Sequence, residues 1–179
     1  MRTGSRVAYD AALFSVLIML VIEQHAPPDT VATEQLVLTF ELRCKCRLRT
    51  RIESGEDVGL FLERGAILHH GDKLLANDGR VVQVIAAVET LMQASSPDSV
   101  LLARAAYHLG NRHVAVQLGA GFLRFASDHV LRDMIVGLGL PVTEIAAAFE
   151  PESGAYGHGH THGGETTFGA KLHLYQGRS

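Results

Sequence analysis

The sequence is short of the residues that mark several large classes of protein. Only two cysteines are present, too few for a disulfide framework. Lysine and arginine number 16 against 19 aspartate and glutamate, so there is no basic excess to neutralise nucleic-acid phosphates. The N-terminal apolar run, Ala11–Ile22, has about 12 residues, fewer than the roughly 20 that span a bilayer. We therefore expect a cytoplasmic protein with no nucleic-acid and no membrane partner.

The common catalytic signatures are also missing. The chain has no His-Glu-x-x-His, no Gly-x-Ser-x-Gly, no phosphate-binding loop ending in Lys-Ser/Thr and no dinucleotide fingerprint. The segment Gly119-Ala120-Gly121 is too short for a phosphate loop and falls in a predicted hairpin. These absences lower the expectation of catalysis and favour a protein that is not an enzyme.

Short apolar segments separated by turn residues fill the first half of the chain. Segments of this length, bounded by Gly, Asn and Asp, are typical of strands. The predicted strands cover 20–22, 36–40, 58–62, 73–76 and 81–85, with a basic strand ending at Arg51. They predict a small all-β domain over residues 19–88, a sandwich or a partly open barrel. Residues 1–18 are expected to be a mis-called extension, with Met19 as the true start.

The basic segment contains both cysteines, Cys44 and Cys46, one residue apart. If the segment is a strand, the two thiols point to the same face. A disulfide between such close neighbours would be strained, and two ligands alone do not close a metal site. We expect two reduced thiols, and the sequence assigns them no role.

The second half of the chain alternates strand-like and helix-like patterns. Ser96 and Ser127 are expected to cap two helices, because a serine hydroxyl accepts hydrogen bonds from the first free N–H groups of a helix. Gly110 suits the end of the first helix. The order of elements predicts a ferredoxin-like βαββαβ domain over residues 89–152, which makes the whole chain α+β. The Gly- and His-rich residues 153–179 are expected to form a disordered tail.

Three histidines in that tail, His158, His160 and His162, are separated only by Gly159 and Thr161. Imidazoles at this spacing can converge on one borderline metal ion. The segment lacks the apolar residues of a core, so packing does not explain the histidines. The pattern indicates a metal-binding tail.

Two further histidines are candidate ligands. His113 lies beyond Gly110 and so is free of the preceding helix, but one imidazole cannot hold a metal tightly. A two-fold dimer would bring two copies of His113 together at its axis. His129 falls in the first turn of the second helix, where the helix dipole disfavours a cation and keeps the ring neutral and able to ligate. A surface histidine with no role is an equally simple interpretation of His129.

Several longer motifs resemble those of a known family. AYHLGNRH spans Ala106–His113, DHVL spans Asp128–Leu131 and FEPESGAY spans Phe149–Tyr156. Upstream, LTFELRCKCRLR and NDGRVVQVIAAVE occupy residues 38–49 and 77–89. Together with the tail histidines, these segments resemble the UreE family of urease accessory proteins, which are nickel metallochaperones.

The resemblance implies a β-rich peptide-binding domain followed by a ferredoxin-like metal-binding domain. It implies a homodimer with a metal at its two-fold axis, held by His113, with His129 and the tail histidines as further candidate ligands. It also implies that Ni²⁺ is carried as cargo and delivered, with an accessory GTPase, to the urease apoprotein complex. Because imidazole nitrogen also suits Zn²⁺ and Cu²⁺, these ions are expected to bind the same site.

Two other functions are compatible with the same residues. The first is a metal-dependent hydrolase that uses His113 and His129 at an open site, with Asp128 or Asp133 as the general base. The second is a peptide-binding module in which the histidines are incidental. A metal on a symmetry axis leaves little room for a substrate, which favours the chaperone over the hydrolase.

Overall fold

The computed structural model describes residues 19–153, which form an α+β architecture in two parts. The elements in chain order are β1 (Leu20–His25), β2 (Glu34–Leu38), α1 (Phe40–Arg43), β3 (Arg47–Arg51), β4 (Asp57–Phe61), β5 (Lys73–Ala76), β6 (Val81–Ala86), β7 (Val88–Ser95), α2 (Ser99–Gly110), β8 (Gln117–Gly119), β9 (Phe122–Ala126), α3 (His129–Gly137) and β10 (Val142–Ala148). The predicted N-terminal extension and the predicted disordered tail, with His158, His160 and His162, lie outside the described residues.

The first part is a six-stranded sheet with the strand order β2-β6-β5-β1-β4-β3. The pairs β1–β4 and β2–β6 are parallel, and the other neighbours are antiparallel. Side chains alternate across the sheet, so one face packs into a core and the other meets solvent. The core is built from Leu, Ile and Val residues of five strands and the loops between them, and includes Leu20, Ile22, Leu36, Leu38, Ile52, Val58, Leu60, Leu68, Leu74, Val82 and Val84. The half-buried Leu48 of β3 packs against it.

The prediction that this part is entirely β is wrong between β2 and β3. Residues 40–43 form a one-turn helix, and the Thr39 side chain caps it by accepting a 3.4 Å hydrogen bond from Leu42 N. A hydroxyl at this position satisfies a helix N–H that a strand would pair with a neighbour. Cys44 ends the helix and Cys46 precedes β3, so the inference that the two thiols share a strand face is also wrong.

The second part is a four-stranded sheet with the order β10-β7-β9-β8, in which all neighbours are antiparallel. Helix α2 joins β7 to β8, and α3 joins β9 to β10, which gives the predicted βαββαβ succession. The two helices contribute Ala105, Leu109 and Ile135 to a second core, where they meet Leu123 and Phe125 of β9. The apolar spacing of the helices therefore places them against the sheet.

Both helices in this part start later than the serines predicted to cap them. The cap of α2 is Asp98, whose side chain accepts hydrogen bonds from Val100 N and Leu101 N at 2.9 and 3.3 Å. The cap of α3 is Asp128, which accepts from Leu131 N at 2.9 Å. A carboxylate both fills the cap and interacts favourably with the positive end of the helix dipole, so aspartate displaces the nearby serine.

One fully buried cation, Arg43, lies where the two parts of the chain meet. Its Nη1 donates to Leu68 O at 3.1 Å and forms an ion pair with Glu150 Oε1 at 2.5 Å. Its Nη2 donates to Phe149 O. The rings of Phe40 and Phe149 pack edge to face beside it, with their centroids 5.4 Å apart. Within the described residues, Arg43 Nε has no hydrogen-bond partner. The guanidinium therefore ties the segment after β10 to the first sheet.

Other hydrogen bonds surround this buried contact. Glu89 Oε1 accepts a 2.7 Å hydrogen bond from Phe40 N, and Glu150 Oε2 lies 3.4 Å from His69 Nδ1. Glu150 Oε1 also accepts from His70 N at 3.3 Å. These bonds surround the guanidinium with groups from both parts of the chain.

Among residues 19–153, no helix is both long enough and apolar enough to cross a membrane.

The substitution Arg43→Met tests the buried contact. It leaves the carbonyls of Leu68 and Phe149 without their donor, and we expect a loss of about 2–4 kcal/mol in the free energy of unfolding. Urea denaturation followed by circular dichroism measures this loss. The control Arg49→Met removes an exposed ion pair and should lose less than about 1 kcal/mol. Equal losses in the two variants would contradict the role given to Arg43.

Candidate metal site

His113 lies three residues after the end of α2, in a turn that closes the helix. His113 N donates to Gly110 O at 2.9 Å, and Val114 N donates to Leu109 O at 3.2 Å. These two bonds are the pair that defines a Schellman motif, in which the residue at the position of His113 adopts a left-handed backbone. The predicted end of the helix at Gly110 is correct, but the left-handed residue is His113.

The backbone of His113 has φ of 56°, the only positive φ of a non-glycine residue within 19–153. The other positive-φ residues there are glycines: Gly55, Gly65, Gly71, Gly79, Gly121 and Gly139. A side chain with a Cβ is disfavoured in this conformation by roughly 1–2 kcal/mol. Strain of this kind persists where the surrounding structure enforces it, and it is concentrated at functional sites. His113 is exposed, so its imidazole is accessible.

His129 is the first residue of α3, in the first turn as the sequence predicted, and it is exposed. It and His113 therefore lie at the ends of two different helices. No group of three or more His, Cys, Asp or Glu side chains within residues 19–153 is arranged to hold a metal ion. The described part of the chain thus provides accessible single imidazoles rather than a closed site.

The two carboxylates considered as general bases have other partners. Asp128 caps α3 through its bond with Leu131 N. Asp133 accepts two hydrogen bonds from the guanidinium of Arg132, at 3.0 and 2.8 Å.

The cysteines do not extend the site. Cys44 is exposed, and partial burial of its thiol raises the pKa, with a smaller opposing effect from Arg43, so the free thiolate is disfavoured. Cys46 is half-buried, and both thiols are free. The prediction of two reduced thiols agrees with this arrangement.

The described chain ends close to the turn that carries His113. Glu152 N donates to Val116 O at 2.9 Å, and Glu150 N donates to the side chain of Gln117 at 3.4 Å. Pro151 between them is buried. The residues that lead to the tail histidines therefore start beside β8. Their contact there is Val116, which follows His113 by three residues along the chain.

Sequence reasoning missed this anchor and the buried Arg43 that supports it. The FEPESGAY motif was the available signal, because it contains Phe149, Glu150 and Glu152, whose backbone or side-chain groups make these contacts. Motif length alone does not reveal which distant residues a segment contacts.

Comparison with known proteins covers both parts of the chain. Residues 19–87 match the family described as UreE urease accessory protein, N-terminal domain, and residues 89–174 match its C-terminal domain. A protein of Dechloromonas aromatica (strain RCB), named urease accessory protein UreE, is 49% identical over 153 residues, which cover 83% of this chain and 86% of that protein.

Relatives with the same name occur in Burkholderia. The protein of Burkholderia pseudomallei (strain 1710b) is 49% identical over 141 residues, covering 79% of this chain and 70% of its own length. That of Burkholderia vietnamiensis (strain G4) is 48% identical over 141 residues with the same two coverages, 79% and 70%. Both family domains and the identities over most of each chain lead to one conclusion: the chain belongs to the UreE family of urease accessory proteins.

Proposed function

We propose that this protein is a nickel metallochaperone, not an enzyme, which carries Ni²⁺ as cargo for assembly of the urease active site. The names of its relatives support a role in urease maturation. The observation that carries the nickel proposal is the accessible imidazole of His113 on a left-handed backbone. In this proposal the protein acts in the cytoplasm, with the accessory GTPase and the urease apoprotein complex as partners.

The proposed site needs two subunits, because one imidazole binds weakly. An isologous dimer places the same residue of both subunits at its two-fold axis, so two copies of His113 can share one ion. Apolar side chains on α2 support an interface there: Val100 and Tyr107 are 67% and 64% exposed. They are seven residues apart and so lie on one face of the helix that leads to His113. The strand order β10-β7-β9-β8 also supports the ferredoxin-like assignment of this part.

The tail histidines are within reach of this site. His113 and Val116 are three residues apart, a span of at most ~11 Å, and the six residues from Glu152 to His158 span up to ~20 Å. Because Glu152 bonds directly to Val116, a tail imidazole can meet the ion that two His113 side chains hold. His129 is the remaining candidate, and its place at the start of α3 keeps it accessible.

A site of this kind suits a protein that must release its ion. Closed tetrahedral sites retain a structural metal, whereas an incomplete ligand set at an accessible interface permits exchange. Imidazole ligands also accept Zn²⁺ and Cu²⁺, and Cu²⁺ generally binds more tightly than Ni²⁺. We therefore propose that selection for nickel depends on the metal supply and the partner proteins.

The hydrolase alternative is not favoured. Its candidate bases, Asp128 and Asp133, are engaged by the cap of α3 and by Arg132. General-base catalysis requires a carboxylate within hydrogen-bond reach of the attacking water. A peptide-binding role for the first sheet is a separate property and does not compete with the nickel site.

The substitution His113→Gly separates metal binding from stability. Glycine relieves the left-handed backbone, so the metal-free variant should unfold with a free energy up to about 1 kcal/mol higher than the parent. The control His113→Ala keeps the strain and should not be stabilised. Both variants should lose the shared nickel site in calorimetric titration. Because a dimer's stability depends on concentration, all three proteins are compared at one protomer concentration.

Either of two results would contradict this interpretation of His113. Unchanged nickel affinity in both variants would remove the residue from the site. A glycine variant no more stable than the alanine variant would show that the left-handed backbone is not a source of strain.

Truncation after Gly157 tests the tail. It removes His158, His160 and His162, and we expect nickel affinity to fall about tenfold, equivalent to ~1.4 kcal/mol, while one ion per dimer is still bound. Truncation after Gly164 is the matched control, because it keeps these three histidines and removes residues 165–179. Equilibrium dialysis measures both proteins. If the smaller deletion, after Gly164, lowers nickel affinity as much as the larger one, the three histidines are not the ligands.

A further inference from the structure

Strand β3 ends the six-stranded sheet and has β4 as its one strand neighbour among residues 19–153. A strand in this position presents a row of backbone N–H and C=O groups with no ladder partner. Such an edge can accept an added strand from another protein. The nickel site does not require this edge, and the peptide-binding role that the resemblance implies for the first domain does not say where on that domain a peptide would lie.

Two hydrogen bonds fix which backbone groups of β3 point outward. Leu62 N donates to Cys46 O at 2.7 Å, and Ile52 N donates to Glu56 O at 3.1 Å. Even-numbered residues therefore bond across to β4, because pairing groups alternate along an antiparallel ladder. The N–H and C=O groups of the odd-numbered residues face the open edge.

Arginine occupies all three odd-numbered positions of β3. Arg47, Arg49 and Arg51 are exposed, whereas Leu48 and Thr50 between them point toward the core and are half-buried. The same residues thus supply outward backbone groups and a stripe of positive charge on the solvent face of the sheet. Just beyond β3, Glu53 N donates to Gln35 O of β2 at 2.9 Å, so the edge is closed at that end and open along Arg47 and Arg49.

The stripe carries more positive charge than its neighbours neutralise. Asp57 is the carboxylate that pairs with it, at 2.8 Å from Arg51 and 3.1 Å from Arg49. Those guanidiniums, Arg51 first, lower the pKa of Asp57. Arg47 makes no ion pair within the described residues. Three guanidiniums against one carboxylate leave an excess of two positive charges on one short strand.

An apolar surface lies beside the stripe. Phe61 is the cross-strand partner of Arg47 and is 44% exposed. A Cβ on Gly59, the partner of Arg49, would come within 2.8 Å of the Met19 methyl group and 3.0 Å of the Phe61 ring. The side chains of Met19 and Phe61 therefore lie over Gly59 and form an apolar surface next to the arginines.

We propose that an extended acidic segment of a partner protein adds to the open edge of β3, with its backbone paired to Arg47 and Arg49 and its carboxylates facing the arginine stripe. Charge complementarity favours a partner over the ends of this chain. Residues 1–18 contain Arg2, Arg6 and a single acid, Asp10. Residues 154–179 contain a single acid, Glu165, with two basic residues.

The test uses the full-length, metal-free protein and a fluorescent nonapeptide of alternating glutamate and threonine. Fluorescence anisotropy at about 0.05 M salt should detect binding that weakens as salt rises, because exposed charges are screened. The charge reversal Arg47→Glu should weaken binding at least about fivefold. The matched control is Arg104→Glu, an exposed arginine on α2, which should leave binding unchanged.

Two modified peptides test the backbone pairing without altering the protein. N-methylation of the residues whose N–H groups face β3 should abolish binding, whereas N-methylation of the alternate residues should preserve it. A peptide of alternating lysine and threonine should not bind.

Three results would overturn the proposal. The first is no binding of the glutamate peptide, which would leave the arginines as a guard against edge-to-edge aggregation. The second is equal effects of the two methylation patterns. The third is tighter binding of an oligothymidylate of matched charge, which would indicate a general anion surface. Because the protein is metal-free, none of these results bears on the nickel proposal.

Discussion

The arrangement of the two parts of the chain depends on one buried guanidinium. Arg43 ends the one-turn helix α1, which connects two strands of the first sheet. Its side chain contacts residues 149 and 150, which follow β10 of the second sheet. Burying a cation is unfavourable unless its hydrogen bonds and countercharge are supplied. Here Glu150 supplies the charge and two carbonyls supply acceptors, so the segment 149–151 is held in one place.

That constraint extends to the proposed metal site. Because residues 149–151 are held, Glu152 N can donate to Val116 O. Val116 follows His113 by three residues, so the remainder of the chain starts beside the turn that contains His113. In the function that we propose, the first domain supplies no ligand but supports the metal site, because it fixes the position of the residues that precede the tail. Strain at His113 completes the arrangement, since a glycine there would stabilise the turn but could not bind an ion.

Much of the fold was predictable because local patterns agree with it. Apolar alternation and turn glycines located most strands, and helical spacing located α2 and α3. The one-turn helix α1 was missed, since four residues carry too little periodicity to be distinguished from a strand. The caps were misplaced by one or two residues because Ser and Asp are both good caps, and only geometry decides between them.

The site was predictable only in part. The position of His113 outside the helix followed from Gly110, but its left-handed backbone did not, because glycine is the usual residue there. Arg43 lies in a run of exposed basic residues, so nothing in the local pattern distinguishes the one that is buried. Its burial depends on carbonyls and a carboxylate supplied by residues 25 to 107 positions away, which local sequence cannot reveal.

In the function that we propose, His113 side chains from two subunits share one exchangeable nickel ion. Anomalous diffraction at the nickel edge, from crystals grown with Ni²⁺, tests this arrangement. We expect a nickel peak on a two-fold axis, within coordination distance of both His113 imidazoles. A crystal in which His113 faces solvent and holds no metal, with nickel bound only elsewhere, would contradict it.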